Sequence, residues 1–323
     1  MSKLRYWKRI LRAYLTKTPS YLDFWHERPE EGNFSAYNLS GEYYMTFSDK
    51  ADYAGPRDSH GVILFDYLGD IGVRYNPLAI AQYGIARLNS YVKTKNETHL
   101  KEARIHADWL VNNLFDNSKG IPVWKHNFSW RYKEVLKPGW YSALSQGAGI
   151  SLLARLGVMS GNKEYVSAAK KAFVALDTDI ENGGVKCVDS NGFVWLEEYI
   201  VSAPTHILNG FIWALWGVKD YWILTNEPRA GALFGECIET LKKHLHLYDA
   251  GFWSLYDLSK QSMLMVASPF YHRLHIVQMN IMEHLTGENI FGEYGVRFEK
   301  YGKNLWKRIL AFSYKAVFKL LYF

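Results

Sequence analysis

Two carboxyl side chains and a phenol are next to each other in the stretch Trp-Leu-Glu-Glu-Tyr at 195–199. Its last two residues are Glu198 and Tyr199, and tyrosines recur in two later polar stretches, at Tyr256 and Tyr271. Carboxyl groups titrate at about pH 4 and phenols at about pH 10. We interpret the three stretches as turns between helices that collect acid and base groups, which predicts slow, reversible proton transfer.

The basic side chains are concentrated at the two ends of the chain. Residues 1–17 contain six Lys or Arg and residues 300–323 another six, and neither segment contains Asp or Glu. Of the 38 basic residues, 26 therefore remain in 18–299 against all 32 acidic ones, so the body carries a net charge of −6. Because no basic recognition motif accompanies this pattern, we do not expect a nucleic-acid partner.

Both basic ends also carry apolar residues at helical spacing. They predict helices over 1–17 and 304–323, which either dock on the body and point their lysines to water or bind an anionic membrane surface. The first residues lack the apolar core and cleavage site of a secretion signal, so we expect a cytoplasmic protein; the membrane alternative would place it at the inner face of the membrane. Cys187 and Cys237 are isolated in sequence, which argues against a disulfide and a zinc site.

Helical periodicity begins at Pro77 and continues in pairs that are joined by short polar or Gly-containing turns. Helices that hide apolar residues on two sides need neighbours on both sides, which favours a closed ring. We predict a mainly α fold, an α/α-barrel or toroid of about four helical hairpins. The predicted helices are 77–92 with 100–114, 141–159 with 163–176, 204–224 with 230–245, and 274–285 with 293–303.

The predicted barrel domain spans 77–303. Gly-rich stretches at 183–195 and 251–256 have strand-like character and predict short β-hairpins at the mouth of the barrel. Residues 18–76, in which Pro, Gly, Asp and Tyr dominate, predict an irregular extension that packs on the barrel and contains two candidate strands. These candidate strands are 42–47 and 62–68.

Five motifs follow one another along the chain: Tyr-Asn-Pro-Leu-Ala-Ile-Ala-Gln-Tyr-Gly at 75–84, Pro-Gly-Trp-Tyr-Ser-Ala-Leu-Ser-Gln-Gly at 138–147, Trp-Leu-Glu-Glu-Tyr at 195–199, Leu-Asn-Gly-Phe at 208–211 and Tyr-His-Arg-Leu-His-Ile at 271–276. Together they resemble the C-terminal catalytic domain of the D-glucuronyl C5-epimerases of heparin and heparan sulfate biosynthesis. The animal enzymes carry additional N-terminal β domains, for which the 323 residues of this chain have no room. We therefore expect a short version of the prokaryotic type.

The resemblance implies an α/α-barrel domain that needs no cofactor and inverts C5 of glucuronate to iduronate within a polysaccharide, with a heparosan-like glycan as the substrate. Glu198 and Tyr199 match the family's Glu-Tyr pair, Tyr256 matches the tyrosine of its Tyr-Asp-Leu turn, and Tyr271 that of its Tyr-His-x-x-His turn. These matches imply that Glu198 and Tyr271 exchange protons on opposite faces of the sugar. Tyr199 and Tyr256 would orient the substrate or share the proton.

The residue types suit this chemistry. The C5–H bond of a uronate is weakly acidic, so its cleavage needs a base on one face and stabilisation of the negative charge that spreads into the adjacent carboxylate. A proton donor must act on the opposite face. A phenol can serve in either position where its neighbours tune its pKa.

Eight further residues are candidates for substrate binding, each with a structural alternative. Aromatic rings could stack on a sugar or wedge between helices, and amides could bind sugar hydroxyls or the backbone. Basic side chains could counter the uronate carboxylate or support their neighbours, and we expect no metal site. The eight residues are Tyr75, Trp140, Tyr141, Gln146, Asn209, His272, Arg273 and His275.

Three other functions stay open at this stage. A lyase would expel the 4-linked sugar from the same carbanion, and a glycoside hydrolase would use two of the carboxyl groups of Glu197, Glu198 and Asp257. A non-catalytic, membrane-associated protein would bind glycan without turnover. The chain also has Ser259-Lys260 where the animal enzymes have an arginine, which leaves the preferred glycan open, and the sequence is compatible with a homodimer.

Overall fold

The computed structural model describes residues 24–67 and 70–322. The helix predicted over 1–17 therefore lies outside the described residues. Nine long helices follow one another in the part that is described. They are α1 (Pro77–Thr94), α2 (Glu97–Asn112), α3 (Ala143–Ser160), α4 (Lys163–Asp177), α5 (Leu208–Thr225), α6 (Pro228–His244), α7 (Pro269–Thr286), α8 (Asn289–Lys303) and α9 (Leu305–Tyr322).

The first eight helices form four antiparallel hairpins with the same two-residue turn. The first turn residue has a positive φ that ends one helix, and the second is the residue before the next helix begins. The two Asn residues in the second position accept a hydrogen bond from the next helix through their side chains, as is typical of helix N-termini. The turns are Lys95-Asn96, Gly161-Asn162, Asn226-Glu227 and Gly287-Glu288.

The odd-numbered helices α1, α3, α5 and α7 lie side by side as an inner layer, and each packs against its even-numbered partner outside. Helices α3 and α5 are buried along nearly their whole length. They approach so closely that a Cβ added to Gly217 would lie 2.4 Å from the Cα of Gly147. The prediction of a mainly α fold built as an α/α-barrel is confirmed.

Four two-stranded antiparallel sheets lie in the connections between or before the hairpins. The hairpin predicted at 183–195 is present, with Cys187 paired to Trp195. The candidate strand at 42–47 is reduced to a single bridge between Glu31 and Met45, and two hairpins between α2 and α3 were not predicted. The strands are β1 (Phe65–Asp66) with β2 (Val73–Arg74), β3 (Leu114–Asp116) with β4 (Pro122–Trp124), β5 (Trp130–Arg131) with β6 (Val135–Leu136), and β7 (Lys186–Val188) with β8 (Val194–Leu196).

The part of the N-terminal extension around Tyr43 and Tyr44 packs at the C-terminal ends of the inner helices, opposite the hairpins that follow α2 and α4. Tyr43 N–H donates to Asn89 of α1 at 2.7 Å, and Tyr44 O–H donates to Asp220 of α5 at 2.5 Å. Arg155 of α3 binds both oxygens of the same Asp220 carboxylate at 3.1 Å. Since all five side chains are buried, the extension joins three inner helices through one internal polar network.

Helix α9 follows the barrel and docks on it through Ala311, Lys315 and Phe318, which are buried. The remainder of the helix lies on the surface. Within 24–67 and 70–322, no helix combines the length and the apolar character that crossing a membrane requires.

Candidate active site

The inner helices all point their N-terminal ends to the same end of the barrel, where the hairpins form a mouth. Glu198 follows β8 at this mouth. Its neighbour Glu197 is fixed by two backbone hydrogen bonds, from Glu197 N–H to Val185 O at 2.9 Å and from Ala143 N–H to Glu197 O at 3.0 Å. The backbone before Glu198 is thus held between a hairpin and the start of α3.

The carboxyl group of Glu198 is almost completely enclosed, with 6% of the residue exposed. Its Oε2 has no hydrogen-bond partner among the described residues. Burial raises the pKa of Glu198 to about 8; the Tyr199 hydroxyl opposes this shift, and the negative charges of Glu197 and Asp257 add to it. Glu198 therefore carries a proton at neutral pH in most molecules.

Three predicted tyrosines lie around this carboxyl group. The rings of Tyr256 and Tyr271 meet edge to face with centroids 4.8 Å apart, and the Tyr256 hydroxyl partly offsets the effect of burial on the pKa of Tyr271. Burial raises the pKa of Tyr199, Tyr256 and Tyr271, and the Glu198 charge is the next contribution for each of them. The structure thus brings the four residues of the predicted proton-transfer set into one cluster, which we call the mouth cluster.

The sequence pattern predicts a turn at Tyr271, but the structure places this residue in a helix. Helix α7 begins at Pro269, and the side chain of Ser268 accepts a hydrogen bond from Tyr271 N–H at 3.3 Å. A Ser before a Pro is a strong helix-start signal, because Ser caps the free N–H groups and Pro has none to leave unpaired. The tyrosine is therefore held on the rigid first turn of an inner helix.

Tyr132 belongs to the same cluster and was not predicted. Its hydroxyl donates to Asp257 Oδ2 at 2.7 Å, and its ring lies 4.5 Å from that of Tyr199. The signal was the alternation Phe128, Trp130, Tyr132, because a period of two places side chains on one face of a strand. Tyr132 ties the β5–β6 hairpin to the residue after Tyr256.

Glu197 is occupied by other contacts. Its Oε1 binds His206 Nδ1 at 2.5 Å, and its Oε2 accepts from the backbone N–H groups of Thr205 and His206 at 3.3 and 3.2 Å. His206, which has a positive φ, also stacks on Trp195. The Glu197 carboxylate therefore fixes the loop that leads into α5. A hydrolase would instead need this carboxylate to be free to act on the sugar.

The structure places Asn209, Trp140 and Tyr141 beside the mouth cluster. Asn209 is 2% exposed at the start of α5, and its Oδ1 has no partner among the described residues. The Trp140 ring lies 5.8 Å from that of Tyr199, and the Tyr141 hydroxyl donates to Gly183 O at 3.0 Å. Asn209 keeps an unused acceptor, whereas the Tyr141 hydroxyl already has a partner.

Gln146, His272 and His275 have structural partners. Gln146 accepts from Trp124 N–H at 2.9 Å and donates to Ala172 O at 3.2 Å. His272 donates from Nε2 to Phe298 O and accepts at Nδ1 from Ser254 N–H. The hydroxyl of Ser254 is hydrogen-bonded to His275 Nδ1, and His275 Nε2 has no partner in the part of the chain that is described. Burial lowers the pKa of His272 to about 4 and that of His275 to about 3, so both rings are neutral.

Arg273 and Tyr75 lie on the surface. Arg273 follows Tyr271 by two residues, and its pKa is lowered by partial burial and by the nearby charges of Arg28 and Arg308. Tyr75 donates its hydroxyl to Asp58 at 2.8 Å and stacks on Trp109 with centroids 5.4 Å apart. This aromatic pair lines a surface groove of about 120 Å³ together with Arg74, Asn113, Phe115, Lys125 and Asn127.

These features define a helical barrel with a buried carboxyl-and-tyrosine cluster at its mouth. The sequence profile described as "D-glucuronyl C5-epimerase C-terminus" matches residues 117–300, which is more than half of the chain and includes the mouth cluster. The chain belongs to this family.

Two curated proteins extend the comparison. The D-glucuronyl C5-epimerase of Caenorhabditis elegans is 32% identical over 201 residues, which are 57% of this chain and 32% of that enzyme. The chain thus spans about a third of the length of the animal enzyme it matches. A protein of Methanocaldococcus jannaschii that is described as uncharacterized is 26% identical over 255 residues, covering 74% of this chain and 80% of that protein.

Two solved structures are similar at low scores. The cellobiose 2-epimerase of Spirochaeta thermophila covers 68% of this chain and 57% of its own, with 10% identity and a TM-score of 0.47. An unsaturated glucuronyl hydrolase from Bacillus covers 72% and 61%, with 14% identity and a TM-score of 0.45. The fold assignment rests on the helix arrangement of this chain itself.

Proposed function

We propose that this protein is a polysaccharide uronate C5-epimerase that converts D-glucuronate to L-iduronate residues in a heparosan-like glycan. The observation that carries the proposal is the mouth cluster: one buried carboxyl group with a pKa of about 8 among phenols whose pKa values are raised. Membership of the C5-epimerase family supports the same reaction.

The cluster supplies a base and an acid for two sugar faces. The ionised Glu198 carboxylate accepts the C5 proton, and the electron pair of the C5–H bond moves into the uronate carboxylate. Tyr271 then donates its hydroxyl proton to C5 from the opposite face, where the returning electron pair forms the new C5–H bond. Glu198 ends as a neutral acid and Tyr271 as a phenolate.

The cluster also offers a way to restore the starting state. The Tyr199 hydroxyl interacts with the Glu198 carboxyl group, and the rings of Tyr256 and Tyr271 are in contact. A proton that passes along these phenols from Glu198 to Tyr271 regenerates the carboxylate and the neutral tyrosine. Because a buried phenolate is costly, this return is favourable. In the reverse reaction a Tyr271 phenolate would accept the C5 proton and a protonated Glu198 would donate one.

Uncharged donors would stabilise the negative charge that develops on the uronate. The N-terminal ends of α5 and α7 meet at the mouth, and helix N-termini carry free N–H groups and partial positive charge. The side-chain amide of Asn209, whose Oδ1 has no partner among the described residues, is suited to a sugar hydroxyl. Arg273, two residues beyond Tyr271, would add a positive charge at the surface.

The groove beside Tyr75 would bind the glycan further along its length. Exposed aromatic faces suit the apolar faces of sugar rings, and Tyr75 and Phe115 are 40% and 56% exposed. Arg74 and Lys125 line the same groove, and neither has a carboxylate within 4.0 Å among the described residues. Two cations without acidic partners beside stacked rings fit a uronate of the same polymer.

The test is to incubate the protein with heparosan in deuterated water and record NMR spectra of the polymer. We expect iduronate signals and deuterium at C5. An absence of both with heparosan and with other glucuronate polymers would refute the proposal.

The same incubation separates the alternative reactions. A lyase would produce an unsaturated uronate that absorbs ultraviolet light, and a hydrolase would produce new reducing ends. A protein that only binds glycan would shift the polymer in a gel without altering it. Each of these results, in the absence of C5 exchange, would replace the epimerase assignment.

A further inference from the structure

Helix α9 presents an apolar face to the outside of the molecule. Seven of its residues are between 47% and 78% exposed. Consecutive residues of a helix are about 100° apart, so these seven occupy the side opposite the buried Ala311, Lys315 and Phe318. The exposed residues are Leu305, Trp306, Ile309, Leu310, Val317, Leu320 and Leu321.

This arrangement is the reverse of an ordinary surface helix. Such a helix directs its apolar stripe to the core and its charged side chains to water. Here the helical positions of Lys307, Arg308 and Lys319 lie along the flanks, between the docked side and the apolar side. Helix α9 contains four basic and no acidic side chains, and since Lys315 is buried, the three that flank the apolar face form a rim that is positively charged.

We propose that α9 is a membrane-binding helix that lies in the plane of an anionic lipid surface, with its outward apolar face among the acyl chains and its basic rim on the headgroups. Helices that combine a wide apolar face with flanking Lys or Arg bind such interfaces, and anionic headgroups attract clustered cations. Trp306, the most exposed member at 78%, is the residue type that prefers this boundary.

The charge of the rim favours lipid over a second copy of the chain. Two copies that met through α9 would bring the flanking cations of both helices together, and like charges at short range oppose association. Negative headgroups would instead neutralise the rim.

The docked side of α9 connects this surface with the mouth cluster. Lys315 Nζ donates to Val266 O at 2.6 Å, and the Tyr314 hydroxyl accepts from Leu264 N–H at 3.0 Å. Tyr256 N–H in turn donates to Met265 O at 2.7 Å. The proposed lipid surface is therefore one backbone segment away from a cluster tyrosine, and binding would hold the barrel mouth close to the membrane.

The test is flotation of the full chain with vesicles of phosphatidylcholine alone or with phosphatidylserine added. We expect the protein to float with the anionic vesicles, to be released by high salt because exposed charges are screened, and not to float with the neutral ones. The double variant Trp306→Gln, Leu320→Gln should bind the anionic vesicles at least tenfold less. A matched control, Val158→Gln with Val174→Gln, changes two residues that are 46% and 42% exposed on other helices and should float like the unchanged protein.

Failure of the unchanged protein to float with anionic vesicles would overturn the proposal, as would equal flotation of the α9 variant. A concentration-dependent dimer that the α9 substitutions dissociate, without lipid binding, would assign the face to a second copy instead. Glycan epimerisation in solution is measured separately, so neither result depends on the proposed enzymatic activity.

Discussion

A carboxyl group that water cannot reach holds its proton more tightly, and Glu198 is the residue at which this effect bears on function. Burial is the largest cause of its raised pKa, and the charges of Glu197 and Asp257 act in the same direction. At neutral pH a minority of molecules therefore carries the carboxylate that can act as a base. The neighbouring tyrosines stay protonated throughout, because burial raises their pKa values, and the proposed mechanism uses them as donors.

The pH dependence of the reaction should follow from this single group. The ionised fraction of Glu198 rises with pH and levels off above its pKa of about 8. We expect kcat/KM for epimerisation to rise by about tenfold per unit below that pH and to reach a plateau above it. The Glu198→Gln variant should lose about 10³-fold or more in activity at every pH.

The control for this measurement is Glu164→Gln, which changes an exposed carboxylate at the start of α4. Its profile should match that of the unchanged protein. A profile that is flat between about pH 5 and 8 would show that an ionised Glu198 is not required.

At the scale of elements, helix α5 makes room for the Glu198 carboxyl group. A Cβ added to Gly210 would lie 2.2 Å from Glu198 Oε2 and 2.9 Å from its Cβ. Glycine is therefore needed here because the first turn of the helix approaches a side chain. The carboxyl group is at the end of a flexible side chain and would be displaced first, and the contact with the Glu198 Cβ would also require a small shift of the backbone.

The variant Gly210→Ala should show how activity depends on the position of the Glu198 carboxyl group in a protein that still folds. We expect kcat/KM to fall by about 10²-fold, because a displacement of about 1 Å is costly for proton transfer, while the protein still folds. Gly235→Ala is the matched control on α6, where an added Cβ meets nothing within 4 Å.

The control variant should keep full activity and gain about 0.5–1 kcal/mol of stability, because Ala favours a helix over Gly. Kinetics and urea unfolding of both variants provide the measurements. Full activity of Gly210→Ala would contradict the close packing of α5 against Glu198.

The elements differ in how far the sequence could predict them. Periodicity and turn residues were enough for four helical hairpins, since both are local signals. The sequence pattern predicts the start of α7 at 274, whereas Ser268 and Pro269 start it earlier, because the aromatic run after them is typical of a turn. Tyr132 meets Asp257 at a separation of 125 residues, and the alternation at 128–132 predicts the strand face on which Tyr132 lies but not this distant partner. The partners of Gln146 and His272 are backbone groups, which residue types do not reveal.

At the scale of the whole molecule, the two ends of the barrel are built for different tasks. The mouth holds one carboxyl group whose Oε2 has no partner in the described chain. The opposite end holds the Arg155–Asp220 pair, whose side chains are 1% and 0% exposed, with further hydrogen bonds from Arg155 to Glu42 O and from Tyr44 to Asp220. A buried ion pair with all its partners is stable as a unit, but removal of one member leaves an uncompensated charge.

Removal of the arginine should therefore destabilise the entire barrel. We expect Arg155→Met to lower the free energy of unfolding by about 3–5 kcal/mol, as measured in urea. Lys170→Met breaks an ion pair with Glu227 in which the two side chains are 53% and 42% exposed. This substitution should change the free energy of unfolding by at most about 1 kcal/mol. Equal effects of the two substitutions would show that the buried network does not stabilise the end of the barrel opposite the mouth.

Deuterium incorporation at C5 of a glucuronate polymer tests the central claim most directly, when the unchanged protein, Glu198→Gln and Tyr271→Phe are compared in deuterated water. The account predicts that the unchanged protein places deuterium in both glucuronate and iduronate, and that neither variant, each folded as judged by its melting temperature, produces iduronate. Epimerisation by either variant at the rate of the unchanged protein, or no exchange by the unchanged protein, would contradict it.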